Sequence, residues 1–112
     1  MRRPRHVLSY QFLILLIMAS AGFQEIEKET IGNLKFPNAD VLTEKEMING
    51  RKNDLERALS LGNLEHSKIR IYFEDEASRK VVETTVWAVT DKRVILKQGI
   101  GIPISRIHSV QL

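Results

Sequence analysis

The sequence predicts a mainly β domain: a short N-terminal helix followed by a five-stranded, strongly bent small barrel. Three observations carry this expectation. After Ser67 the apolar period changes from about 3.6 residues to 2. Lys80–Thr90 is crowded with β-branched residues. Turn chemistry at Glu76-Ala77-Ser78-Arg79, Thr90-Asp91-Lys92 and Gln98-Gly99 cuts the second half into short pieces. A chain of 112 residues holds one small domain and a tail, not two domains. Hydrophobic residues at 43% and charged residues at 28% exclude a fully disordered chain, a collagen-like repeat and a polytopic membrane protein. The absence of cysteine excludes disulfides and thiolate metal sites.

The first 46 residues stand apart. Met1–His6 is basic, Phe12–Met18 is an unbroken apolar run within Val7–Phe23, and Ala19-Ser20-Ala21 fits a small-x-small cleavage site. This is the layout of a secretory signal peptide over residues 1–21, cleaved after Ala21. The apolar stretch is also at the lower edge of what spans a bilayer, so an uncleaved anchor through residues 7–23 is a second reading. A third is a mis-called gene start, with translation from Met47. Residues 22–46 show no clean period and contain Pro37 in a turn-rich run, so they read as a linker. The net charge of +3 follows the N-terminus. Arg2, Arg3 and Arg5 supply all the excess, residues 22–112 are neutral, and residues 47–112 are again +3. A neutral chain gives no electrostatic reason to expect phosphate binding.

The domain proper is then residues 47–112. Thr43-Glu44-Lys45-Glu46 matches a capping box, and Asn53-Asp54-Leu55-Glu56 offers a second start. Leu55, Ala58 and Leu59 form a stripe that Gly62-Asn63 would end, which predicts a two-turn helix over Asp54–Leu61. In the next stretch Ile69, Ile71 and Phe73 share one face, with Lys68, Arg70, Tyr72 and Glu74 on the other. Lys80–Thr90 is a long strand, expected to bend. Arg93–Lys97 is a third strand and Ile100–Ile104 a fourth, which Pro103 confines to an edge or kinks. Ser105-Arg106-Ile107 makes one tight turn before His108–Leu112. Too few residues remain for a two-sheet sandwich, and closing the strands on themselves removes exposed edges.

That order is similar to the SH3-like small barrels, and to the Sm-like fold in particular, over residues 54–112. Lys68-Ile69-Arg70-Ile71-Tyr72, Arg93-Val94-Ile95-Leu96-Lys97 and Ile107-His108-Ser109-Val110 resemble strands one, three and five of the bacterial Sm-like RNA chaperones. The resemblance implies a nucleic-acid-binding barrel. The chain departs from it where those chaperones carry a Tyr-Lys-His set, since Pro103, Ile104 and Ser105 stand there, and the glycine usual in strand two is missing from Val81–Thr90. No RNA-contacting residue is therefore carried over. Thr90–Leu96 followed by a glycine turn also resembles one hairpin of bacterial PH-like domains, which need a longer chain. The chain further resembles small bacterial proteins of about its own length, and that likeness brings no function with it.

No catalytic constellation stands out. His6, His66 and His108 have no metal-ligand spacing, no serine sits in a nucleophile elbow, and the six glycines form no phosphate loop. Glu74, Asp75 and Glu76 crowd one turn, where a solvated acidic turn is the expected state and weak cation binding the alternative. The reading is not an enzyme, with no cofactor and no metal. The candidate binding surface is Tyr72, Trp87, Lys68, Arg70, Lys97, Arg106 and His108. Tyr72 and Trp87 would together form a stacking platform for a base or a proline-rich peptide. The competing placement, preferred here, packs Trp87 beneath Leu55 and Leu59. The expected function is a non-catalytic interaction module, self-assembling through a barrel edge or binding a protein partner, and exported or membrane-anchored through residues 1–23. Nucleic acid enters only for a cytoplasmic chain starting at Met47, and a membrane only through residues 7–23.

Overall fold

The computed structural model describes residues 22–112. The signal-peptide reading of residues 1–21 lies outside them, as does the anchor reading of residues 7–23 except for Gly22 and Phe23. The described chain is mainly β, with one α-helix and two sheets. In chain order the elements are β1 (Gln24–Glu25), α1 (Lys45–Glu65), β2 (Ile69–Glu74), β3 (Arg79–Thr84), β4 (Val86–Val89), β5 (Arg93–Leu96), β6 (Gly101–Pro103) and β7 (Ile107–Gln111). Short 3₁₀ turns cover Lys28–Asn33, Lys97–Gly99 and Ile104–Arg106. The first sheet has the order β1-β3-β2-β7 and the second β4-β5-β6.

The helix is longer than its stripe predicted. It begins at Lys45 after Glu44, so Thr43 stands one residue too early and the capping box does not form. It runs through Gly62 and ends at His66, whose left-handed backbone (φ 54°) lets its N–H donate to Gly62 O at 3.1 Å. Gly62 is not a stop but a contact. A methyl added there would lie under 3.0 Å from the Val86 carbonyl oxygen, so the missing Cβ lets α1 press against β4. The buried residues Arg51, Leu55, Ala58 and Gly62 follow one another at spacings of four, three and four, a single stripe along α1.

The period-2 reading of the strands survives in β2, where Ile69, Ile71 and Phe73 all point into the core. β2 pairs antiparallel with β3 from Ile69↔Thr84 to Glu74↔Arg79, and with β7 across a bulge between Tyr72 and Phe73. The long strand expected over Lys80–Thr90 is two strands, β3 and β4, parted at Thr85, and the chain passes there from one sheet into the other. Gln98 (φ 71°) and Gly99 (φ 84°) turn the chain from β5 into β6. Pro103 closes β6 at the edge of its sheet, where the missing N–H costs no ladder bond.

The barrel does not close. β6 and β7 are not hydrogen-bonded to each other, because the chain ends one strand at Pro103 and turns through Ile104–Arg106 before starting the next. The closure expected from five strands is instead supplied by other segments. α1 packs on β4 and β7, and Leu55 and Ala58 join Ile69, Ile71, Phe73, Val82, Val86, Val94, Leu96, Ile102 and Ile107 in one core.

The residues expected as a linker, 22–46, are also part of that structure. Ile31 is 2% exposed and sits in the core, Leu42 is buried, and Ile26, Leu34 and Phe36 pack against it. Main-chain bonds fasten the segment at three places: Ile26 N–H to Val81 O (3.0 Å), Glu76 N–H to Lys35 O (2.8 Å) and Val41 N–H to Ser105 O (2.9 Å). Two buried arginines clamp its end. Arg51 Nη1 and Nη2 donate to the two carboxylate oxygens of Asp40 at 2.9 and 2.8 Å, and Nη1 also reaches Ile107 O at 2.9 Å. Arg106 donates to Ala39 O at 2.6 Å and, through Nε, to Glu74 O at 3.0 Å. Burial of two guanidinium groups is tolerable because planar forks match carboxylate and carbonyl acceptors.

Candidate functional site

An open groove of about 600 Å³ lies where the first sheet gives way to the second. Its walls come from four parts of the chain: Glu25 to Lys28, His66 and Lys68 after α1, Glu83 to Thr85 with Trp87, and Lys97. Trp87 is 51% exposed. On β4 the inward position belongs to Val86, and the alternation of a strand turns its neighbour outward. The expected packing of Trp87 beneath Leu55 and Leu59 is thus overturned: α1 meets β4 at Gly62, too closely for an indole between them.

The groove gathers three of the seven predicted surface residues, Lys68, Trp87 and Lys97. The other four lie elsewhere. Tyr72 is only 5% exposed: its hydroxyl donates to Gln111 Oε1 at 3.0 Å, and the Phe23 ring stands edge-on to it at 5.3 Å. It shares no stacking platform with Trp87. Arg70 faces Glu25 at 3.5 Å; its guanidinium is held firmly protonated, first by the Tyr72 side chain and further by the charges of Glu25 and Glu83. Arg106 is buried against Ala39 and Glu74. His108 is half-buried, with Nε2 at 2.8 Å from Glu74 Oε1 and its ring 5.5 Å from Phe23. Arg106 and His108 therefore complete a structural cluster around Glu74.

The acidic turn is solvated only in part: Glu76 is exposed as expected and Glu74 is half-buried, but Asp75 departs from the expectation. Asp75 is buried, accepts the Ala77 and Ser78 N–H groups at 3.0 and 2.8 Å, and holds Lys80 Nζ at 3.0 Å. Burial alone would raise its carboxyl; the Ser78 amide, the Lys80 ammonium and the Ala77 amide outweigh that and hold it below the usual carboxylate range. Asp40 is lowered too, chiefly by the Arg51 fork. Among the described residues no group of three His, Asp or Glu side chains could hold a metal ion.

Half of the groove escaped sequence reading. Glu25, Ile26, Glu27 and Lys28 belong to the supposed linker, and His66 and Glu83 carry no motif. The signal available was the load of Phe23, Ile26, Ile31, Leu34, Phe36 and Leu42 in that segment, more apolar side chains than a solvated spacer carries. These acids change the electrostatics of the site. Lys28, Lys68 and Lys97 are balanced in the groove wall by Glu25, Glu27 and Glu83.

A second recess of about 600 Å³ lies between α1 and the end of the β4–β5 hairpin, with Ile48, Leu55, Leu59, Val89 and Ile104 in its walls. The arginine that borders it, Arg51, is already committed to Asp40 and Ile107 O. No helix of the described residues is long and apolar enough to cross a membrane. Comparison of the chain with protein-family models, with curated proteins and with solved structures finds no match in any of the three.

Proposed function

We propose that this domain is a non-catalytic interaction module that binds a segment of a partner polypeptide in the Trp87 groove. The observation that carries the reading is the half-exposed Trp87 beside a concave wall of balanced charge. An exposed indole offers a large apolar surface and an N–H donor at little entropic cost, which is why tryptophan anchors protein contacts. What supports a small-barrel kinship of the fold, SH3-like or Sm-like, is the near-continuous β3–β4 strand that serves both sheets.

A nucleic-acid-binding reading draws on Trp87 sharing the groove wall with Lys68 and Lys97, where a base would stack. It is the second choice, because three glutamates share that wall and Arg106 and His108 face away into the Glu74 cluster. It also requires a chain starting at Met47, and such a chain would lack Ile31, Leu42 and the Asp40 partner of the buried Arg51. Self-association through the edges of β6 and β7 is a further form of the module reading; both strands are short, and Pro103 removes a donor from β6.

The test uses the only tryptophan of the chain as reporter. A displayed peptide library is selected against the protein and counter-selected against Trp87→Ala, and an RNA oligonucleotide series is titrated in parallel. The reading expects peptides that shift Trp87 emission and lose at least tenfold in affinity to the variant. Salt-sensitive RNA binding with no such peptides would replace it by the nucleic-acid reading.

A further inference from the structure

The floor of the Trp87 groove contains a gap in a sheet edge. β1 covers β3 only at Lys80 and Val81, where Ile26 N–H donates to Val81 O at 3.0 Å. Four residues further on, Lys97 N–H donates to Thr85 O at 3.0 Å and leads into the β4–β5 pairing. Along a strand, successive residues turn their peptide groups to opposite edges. Val81 and Thr85 both turn toward this edge, and so does Glu83, which lies midway between them. Neither β1 nor β5 pairs with Glu83. Between these two bonds, about 13 Å apart along the strand, the N–H and C=O of Glu83 are left without a strand partner on the side that the groove lines.

From this geometry we infer that the groove takes two or three residues of the partner polypeptide in extended form, bonded through their main chain to Glu83 N–H and C=O and covered by the Trp87 indole. The inference rests on the peptide-module reading and states how the peptide is held. A polypeptide main chain carries a donor and an acceptor at the spacing that one unpaired strand residue presents, and such strand addition is a general mode of peptide capture. Charge points the same way. Among the described residues Lys68, Lys97 and Glu27 line the groove without an ion pair, and Glu83 shares its charge with its cross-strand neighbour Arg70, so the wall offers both signs. A guest of mixed charge complements that wall, and a polyanion does not. Length sets the last constraint: the Ile26–Val81 bond at one end and the Lys97–Thr85 bond at the other stop the guest strand, so only a short stretch pairs.

The experiment takes peptides selected on the full-length chain through their dependence on Trp87 and measures amide hydrogen exchange by NMR, free and bound. Exchange at the Glu83 amide is expected to slow at least tenfold, and a scan of single N-methylated peptide positions is expected to find one whose affinity falls about tenfold. Affinity is expected to vary little with salt, unlike phosphate binding. Peptides that shift Trp87 emission while leaving Glu83 exchange unchanged would overturn the main-chain pairing and leave the module reading standing. Failure to select any Trp87-dependent peptide would overturn both.

Discussion

Gly50 and Gly62 lie on the same helix and have opposite consequences. At Gly50 nothing stands within 4 Å of an added methyl, so Gly50→Ala removes only backbone freedom and stabilises the protein by about 0.5–1 kcal/mol. At Gly62 the methyl meets the Val86 carbonyl and, at 3.3 Å, Thr85 Cγ2, so Gly62→Ala forces α1 off β4 and costs about 1–3 kcal/mol. Urea unfolding of the two variants checks the sign of each. Asp40 is the second informative residue. Asp40→Asn leaves Arg51, 6% exposed and already without a partner for Nε, with no opposing charge, at a cost of about 2–3 kcal/mol. Asp40 and Asp75 have lowered carboxyls in the folded protein. Their stabilisation is therefore complete above the unfolded value near pH 4 and disappears as pH falls through the lower folded values. The wild-type protein loses stability in acid, and the gap between it and Asp40→Asn narrows from pH 7 toward pH 2 when unfolding is followed by circular dichroism.

At the scale of elements, the N-terminal segment is the one whose removal tells most. Ile31→Ala empties a core position and costs about 2–4 kcal/mol in a denaturant titration. A chain started at Met47 loses Ile31, Leu42, the Asp40 carboxylate and three main-chain ties together, and is expected to lose cooperative thermal unfolding and near-ultraviolet dichroism. Sequence reading missed this segment for a physical reason. Periodicity reveals elements that repeat one face, such as β2 with Ile69, Ile71 and Phe73, whereas residues 22–42 hold on by single anchors at uneven spacing. The bend in the long strand was legible as excess length, and Thr85 is where it falls. The C-terminal end of the helix was not legible because Gly62 carries the same local signature whether it ends a helix or allows a close approach, and only the position of Val86 decides between them.

For the whole molecule, charge and topology are better guides than any motif. Residues 22–112 carry as many acids as bases, and the Trp87 groove repeats that balance locally. Lys68 and Lys97 were legible as charges flanking strands, whereas the exposure of Trp87 was not, because only the close approach of α1 at Gly62 keeps the indole out from under the helix; the acidic half arrives largely from residues 25–28, far away in sequence. Those distant connections also govern time. Lys35 is tied to Glu76, Val41 to Ser105 and Arg51 to Ile107, so the native contacts close long loops. Topologies rich in such pairings fold in milliseconds to seconds, through a transition state that has buried most but not all of the native surface. If the Asp40–Arg51 clasp forms after the barrier, Asp40→Asn leaves the refolding rate nearly unchanged and speeds unfolding by the whole of its destabilisation, about 30-fold or more in stopped-flow. The N-terminal segment then acts as a latch: it sets how long the folded protein lasts rather than how fast it appears.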